Sequence, residues 1–254
     1  NPDHLLYQRL VGKNQLLKHD IYISLTAFPL SHRNYRTPGH TAPLRENLAQ
    51  AIICLSGWKG ELALIDPFFG SGTLLMEALY SYYDLPSWFL KNQKDFSFFR
   101  WPCFKDKVKS LQEMMGEIIN KAEDNLQKKA FPSLYANDLD RSNISLLKTS
   151  LEKLEEGFSE KVHFSSSDAF EYLPAKNSSG TVVTNPPYGS RLEQSSPQFY
   201  YNYGEHLKKN YKGYDVFILM EEFSRRKEIA LQTAKRIPLF NGNKECRLFK
   251  YEIY

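Results

Sequence analysis

The sequence predicts an α/β domain with a mostly parallel sheet, helices on both faces and an antiparallel hairpin at its C-terminal end. Three observations predict it. Short runs rich in β-branched and aromatic residues alternate with stretches whose apolar residues recur every three or four positions, the signature of strand–helix repeats. A glycine-rich loop, Asp66-Pro67-Phe68-Phe69-Gly70-Ser71-Gly72, leads from a buried apolar run into a helical one, as at the ligand-binding edge of open α/β sheets. Finally, "AKRIPLFNGNKECRLFKYEIY" carries two β-like runs around Asn241-Gly242, a strong hairpin signal.

The elements follow in order. Residues 1–20 read as a lead-in or linker, and 21–254 as one domain. With no initiator methionine, the chain is expected to begin inside a longer gene product or after a removed tag. Leu44–Ser56 reads as a helix, Glu61–Ile65 as a strand, and Thr73–Tyr82 as the helix after the glycine loop. The aromatic-rich, irregular stretch "YSYYDLPSWFLKNQKDFSFFRWPCF" is expected to fold over one end of the sheet. Helices then follow at Lys105–Lys128, Arg141–Leu154, Pro197–Asn210 and Glu221–Leu231, and strands at Ser133–Ala136, Val162–Ser165, Gly180–Thr184 and Asp215–Met220. Five strands and the terminal hairpin make a seven-stranded sheet.

At 254 residues with 42% apolar content, the chain can bury a substantial core. It shows neither a membrane span nor the sustained apolar segment of a signal peptide. Cys54, Cys103 and Cys246 are an odd, widely spaced set without a C-x-x-C pair, which fits a reducing cytoplasm and argues against zinc. The histidines at 4, 19, 32, 40, 163 and 206 have no metal-ligand spacing, so no metal is expected. Between Glu205 and Lys250 stand 11 Lys/Arg against 6 Asp/Glu, enough to account for the whole-chain charge of +4. A solvated helix face with lysines guarding edge strands explains this as well as a nucleic-acid surface does.

The glycine loop is neither a Walker P-loop, which needs Gly-Lys-Ser/Thr, nor a G-x-G-x-x-G dinucleotide fingerprint. Gly70 and Gly72 permit a tight turn and let a ligand approach the backbone. Asp66 repels a pyrophosphate and suits a cationic ligand. Asp138 in "YANDLD" ends the second strand, where its two oxygens can accept from ribose hydroxyls. Asp168 in "SSSDAF" follows the third, where it can accept from an adenine amine. Asp140 reads as the cap of the helix starting near Arg141. Each acid alone is more often a capping residue than a ligand; three at successive strand ends are not explained by capping alone.

The fourth strand ends in "TNPPYGSRLE". Its prolines have no N–H and fix φ, and Asn185 before them is pushed to extended geometry, so the stretch is a stiff row of acceptors. A rigid exit turn with a buried tyrosine is the alternative account.

At this point the chain resembles the class I S-adenosylmethionine-dependent methyltransferases. Within them it resembles the RNA guanine-N2 methyltransferases that usually carry a THUMP RNA-binding domain and are often labelled adenine-N6 DNA methylases. The resemblance is carried, in the family's order, by "NYRTPGHTAPLRENLAQAIICLSGW", "DPFFGSGTLLMEAL", "NDLD", "SDAF", "NPPYGSRL" and "KRIPLFNGNKECRLFKYE", over roughly residues 20–254. It implies a Rossmann-like class I methyltransferase fold with S-adenosyl-L-methionine as cofactor and S-adenosyl-L-homocysteine as product. Asp66, Phe68, Gly70, Ser71, Gly72 and Thr73 are implied around its methionine part, Asp138 with Leu139 at the ribose, and Asp168 with Ala169 at the adenine. Asn185, Pro186, Pro187 and Tyr188 are implied at the target base, Asn185 also bordering the cofactor. The family often has cysteine where Phe69 stands and glycine where Asn137 stands, and both departures look conservative for the loop. Too little chain precedes Asp20 for a THUMP domain, so capture of the RNA partner, ribosomal or transfer RNA, is expected from a separate or deleted domain.

The mechanism follows from the residues. An exocyclic amine is a poor nucleophile because its lone pair is delocalised into the ring. The Asn185 side-chain oxygen and the Pro186 carbonyl, fixed in advance by the prolines, can accept its two N–H groups and align the lone pair on the methyl. Tyr188 stacks on the base, a contact worth about 1–3 kcal/mol, and the base must be unpaired or flipped. Adenine N6 in DNA and a glutamine side chain are alternative substrates for the same loop. The roughly 50 residues before "YANDLD" look like helix and aromatic cover rather than a DNA-recognition insert, and the helical substrate domain of the glutamine enzymes is not seen. A non-catalytic RNA-binding domain that keeps the fold is the reading from another class; intact Asp66, Asp138, Asp168 and Asn185 argue against it.

Overall fold

The computed structural model describes residues 6–13, 16–26, 28–36, 44–92, 95–173, 179–187, 197–221 and 226–254. A two-stranded antiparallel sheet comes first, β1 (Leu6–Lys13) and β2 (Leu16–Ile23), paired from Leu6↔Ile23 to Lys13↔Leu16. Residues 6–13 and 16–20, within the expected lead-in, are strand. The main sheet has the order β5-β4-β3-β6-β7-β9-β8, built from β3 (Ala63–Asp66), β4 (Leu134–Asn137), β5 (His163–Ser165), β6 (Gly180–Thr184), β7 (Asp215–Met220), β8 (Thr233–Asn241) and β9 (Lys244–Glu252). Strands β3 to β7 pair in parallel and β9 antiparallel to both neighbours. The hairpin turn is Gly242-Asn243, with Gly242 at φ 67°, a conformation open to glycine at the first turn position.

Alternation along each strand sorts the core onto two faces. Leu64, Val183, Phe217, Leu219 and Leu248 pack with α1 (Glu46–Ser56), α2 (Thr73–Tyr82), the end of α3 (Val108–Lys128), α4 (Ser142–Leu154) and α5 (Phe158–Lys161). Ile65, Val182, Val216, Ile218 and Phe249 point the other way, onto α6 (Pro197–Asn210). Strands covered on both sides read as continuous apolar runs, which is why Gly180–Thr184 and Asp215–Met220 were legible as buried parallel strands.

Two expected helices differ. The helix expected from Lys105 starts at Val108, because Pro102–Lys107 is a 3₁₀ segment. The helix expected over Glu221–Leu231 is not formed by its described residues: 226–231 make a turn, in which Ala230 has φ 54°. Packing explains the turn, since Ile229 is buried with its carbonyl laid directly on Gly204 of α6. The aromatic-rich stretch packs on the segment after β2: Phe98 N–H donates to the Leu25 carbonyl (3.3 Å), and Phe28 meets Phe96 edge-on at 5.2 Å. Among the described residues no helix is long and apolar enough to cross a membrane.

Two glycines on helices differ in what surrounds them. A Cβ on Gly204 would lie 1.8 Å from the Ile229 carbonyl oxygen, backbone against backbone, whereas one on Gly116 in α3 meets nothing within 4 Å. Gly204→Ala should therefore cost at least ~3 kcal/mol, by forcing α6 off the turn, and Gly116→Ala should add up to ~1 kcal/mol through helix propensity. Urea denaturation of the two variants checks both signs.

Candidate active site

The predicted residues meet at one edge of the sheet. Register sets Asp66 beside Ala136, and Ala136 beside Phe164, so the loops after β3, β4 and β5 leave at one level. Strands β4 and β6 flank β3 on opposite sides, which makes the β3–β6 boundary the switch point where open α/β sheets bind ligands.

Asp66 ends β3 and is only 1% exposed. Its Oδ1 accepts from the Phe68 N–H (3.2 Å) and from the Thr184 hydroxyl (2.7 Å), the latter reaching across from the end of β6. Both bonds end on Oδ1, so Oδ2 is the oxygen offered to an outside donor. Burial pushes the carboxyl up to about 7 against the pull of those two donors, and the nearby Asp138 charge adds to the rise. A cation beside Oδ2 reverses that cost.

The loop after Asp66 is shaped by Gly70 (φ 52°) and Gly72 (φ 73°), the second closing onto the Phe69 carbonyl (2.7 Å) as α2 begins. A Cβ on Gly72 would meet Leu147 Cδ1 at 2.5 Å, so glycine is required there by backbone and by space. Phe68 is held against Phe199 and Tyr203 of α6, with ring centroids 5.8 and 5.3 Å away. Ser71 and Thr73 share a hydroxyl hydrogen bond (2.9 Å), and Arg36 Nη2 donates to Thr73 Oγ1 (3.2 Å).

Asp138 is joined to that loop directly. Its Oδ2 accepts from Gly70 N–H (2.8 Å), while Oδ1 accepts from Asp140 N–H (2.9 Å) and Asn143 Nδ2 (3.0 Å). A carboxylate has about four acceptor positions, so the expected grip on two hydroxyls is reduced to one vacant position on Oδ2. Leu139 beside it is 65% exposed, an apolar side chain at the mouth of the site. Asp140 Oδ1 accepts from Ser142 N–H (2.9 Å) and supports the start of α4, as expected of a cap. Asp168 is exposed; its Oδ1 accepts from Phe170 N–H (3.0 Å), which leaves Oδ2 outward, and Ala169 is buried behind it.

Asn185 follows β6 with both prolines in trans. Its Oδ1 is buried and has no hydrogen-bond partner among the described residues. An orphan buried acceptor is costly and calls for an explanation. Pro186 is buried and Pro187 half-buried. Tyr188, expected at the base, lies outside the described residues.

Two polar positions went unread in the sequence, and one more, Asn137, was read as a conservative departure. Asn137, fully buried, donates from Nδ2 to the carbonyls of Pro67 (3.2 Å) and Ser167 (3.0 Å), and its Oδ1 accepts from Ser167 N–H (3.2 Å) and Oγ (2.9 Å). Replacing a glycine here is thus not conservative, because the amide crosslinks three loops. Thr184 is one of the unread two. The other, Glu77 of α2, is fully buried; Tyr35 donates to its Oε1 (2.9 Å) and Arg33 Nη2 to its Oε2 (3.2 Å), and burial pushes its carboxyl up to about 7. A lone acid inside "TLLMEALY" was the available signal. Among the described residues no group of three or more His, Cys, Asp or Glu is placed to hold a metal.

These residues fit S-adenosylmethionine: a buried carboxylate with one free oxygen for a cation, a glycine turn, further acids at successive strand ends, and an exposed apolar side chain. Asp66 also sets a stability signature. An acid raised in the folded state favours folding fully below the ordinary carboxyl value of about 4, and that contribution is lost as pH rises through about 7. Asp66→Asn keeps an Oδ1 acceptor but cannot ionise, so its stability should vary less with pH and exceed the wild type at about pH 8 by on the order of 3 kcal/mol. Denaturation across that pH range checks it; equal slopes for the two proteins would contradict the burial argument.

Comparison with known proteins agrees with the geometry. Residues 33–250 match the family model described as RMKL-like, methyltransferase domain. A Synechocystis protein provisionally named as an RNA methyltransferase is 34% identical over 232 residues, covering 90% of this chain and 57% of its own. The ribosomal RNA large subunit methyltransferase K/L of Psychromonas ingrahamii is 33% identical over 244 residues, covering 93% of this chain and 31% of its own. The chain thus spans about a third to rather more than half of the relatives it matches. The crystal structure of SMU.472, provisionally a methyltransferase and complexed with S-adenosylhomocysteine, superposes with TM-score 0.76 at 25% identity over 92% of this chain and 58% of that one. By fold, strand-end loops and matched span, the chain belongs to the RMKL-like methyltransferase-domain family of S-adenosylmethionine-dependent enzymes.

Proposed function

We propose that this domain methylates the exocyclic N2 amine of a guanosine in ribosomal or transfer RNA. The observation that carries transfer to an amine is the orphan Asn185 Oδ1, a buried acceptor beside the switch point that lacks a donor among the described residues, while the choice of guanine rests on the resemblance of the flanking segments. A target amine supplies the missing N–H. The Pro186 carbonyl takes the second N–H, Pro187 keeps the pair rigid, and Tyr188 stacks on the ring. No strong base is needed, because the nitrogen loses its proton readily once alkylated. The bound cofactor supplies an electrophilic methyl on a sulfonium.

Asp66, Phe68, Gly70, Ser71, Gly72 and Thr73 hold the methionine part in this reading. Asp138 with Leu139 takes the ribose through Oδ2, and Asp168 with Ala169 the adenine amine. Asn185 lies between cofactor and base. Residues 21–254 are the transferase unit. The names of the relatives support RNA as substrate, and their greater length supports a further domain that delivers it. Adenine N6 is the second reading, since an acceptor pair of this kind serves that amine equally.

Asn185→Ala should retain S-adenosylhomocysteine affinity within about threefold and lose methyl transfer by at least ~100-fold, in line with loss of a preorganised transition-state contact. Full turnover in that variant would remove Asn185 from the chemistry. Mass spectrometry of RNA nucleosides from a strain lacking the gene should show loss of N2-methylguanosine; intact guanosine methylation with N6-methyladenosine lost would move the target to adenine.

A further inference from the structure

We propose that Thr184 is a positioning residue: its hydroxyl fixes the Asp66 carboxylate so that Oδ2 faces the cationic methionine end of the cofactor. This rests on the assignment of Asp66 to the cofactor made above.

The strand around Thr184 gives no packing reason for a hydroxyl. Val182 and Val183 before it are fully buried, Thr184 itself is 1% exposed, and a valine has the same shape. A buried hydroxyl is tolerated only with a partner. Here the partner is Asp66 Oδ1 at 2.7 Å, on the neighbouring parallel strand and across the switch point. A hydrogen bond to a carboxylate is about twice as strong as a neutral one. Together with the Phe68 N–H it pins one oxygen from two elements, so the carboxylate cannot rotate and Oδ2 keeps one direction. Thr184 is also the peptide neighbour of Asn185, and the same bond therefore sets where the acceptor loop leaves the sheet.

The groups facing Asp66 give the expected sign. Thr184 and the Phe68 N–H stabilise its charged form, whereas burial and Asp138 from the end of β4 oppose it; among the described residues Tyr203 of α6 is a further titratable neighbour, buried and neutral. Loss of the hydroxyl makes ionisation harder.

Titrate S-adenosylhomocysteine calorimetrically into the wild type, Thr184→Val and Thr184→Ser between about pH 6 and pH 9, the range in which a raised carboxyl ionises. Wild-type affinity should fall as pH drops below about 7. In Thr184→Val the fall should begin about one pH unit higher, seen as roughly fivefold weaker binding near pH 7 and approaching tenfold near pH 6, and Thr184→Ser should restore the wild-type curve. A purely structural defect weakens binding equally at every pH and is not rescued selectively. Superimposable wild-type and Thr184→Val curves would overturn the inference while leaving Asp66 at the cofactor. A flat wild-type curve would overturn the Asp66 assignment and the inference with it.

Discussion

One buried amide holds the working edge of this sheet together. The loops after β3, β4 and β5 start at one level, but each begins where strand pairing ends and so has no ladder to keep it in place. Asn137 replaces that ladder. With its side chain fully buried, it bonds to Pro67 on one side and Ser167 on the other, while its own carbonyl accepts from Phe69 N–H. Asp138 then ties the next residue level to Gly70, and Thr184 brings β6 to Asp66. The network is fully satisfied at Asn137 and, among the described residues, incomplete at Asn185.

The two sides of the site use opposite electrostatics for compatible ends. Three acids at strand ends suit a cofactor that carries positive charge, and they differ in burial and in the donors they share. Asp66 is desolvated with one oxygen committed, Asp138 is largely occupied by its own chain, and Asp168 stays in solvent. The acceptor side, by contrast, is neutral. Carbonyl and amide oxygens next to prolines accept N–H groups without becoming bases that a proton could block.

Much of this was legible in the sequence, for physical reasons that can be named. Short runs rich in β-branched and aromatic residues located β3 to β7, and Asn241-Gly242 located the hairpin, because both signals are local. The acids were found because they stand directly after those runs. What failed depended on tertiary contact. Glu221–Leu231 has helical spacing, but Ile229 is claimed by Gly204, whose missing side chain lets two backbones touch. Residues 6–23 pair with each other across a short connection that carries no glycine-led turn signal of the kind seen at residue 242. Asn137, Thr184 and Glu77 looked like unremarkable polar residues, since their partners lie 30 to 118 positions away in sequence.

The position of β9 bears on how the domain reaches this state. Although it comes last in the order of elements, it lies between β7 and β8 rather than at the rim. Until it has been synthesised, β7 keeps an open, strongly apolar edge, and Phe217, Ile218 and Leu219 lack their cover from Leu248 and Phe249. A nascent chain therefore cannot close its sheet progressively from the N-terminal side. It must hold a half-sheet in waiting and then insert the hairpin in one late step, the interval in which edge-to-edge association with another chain competes with folding.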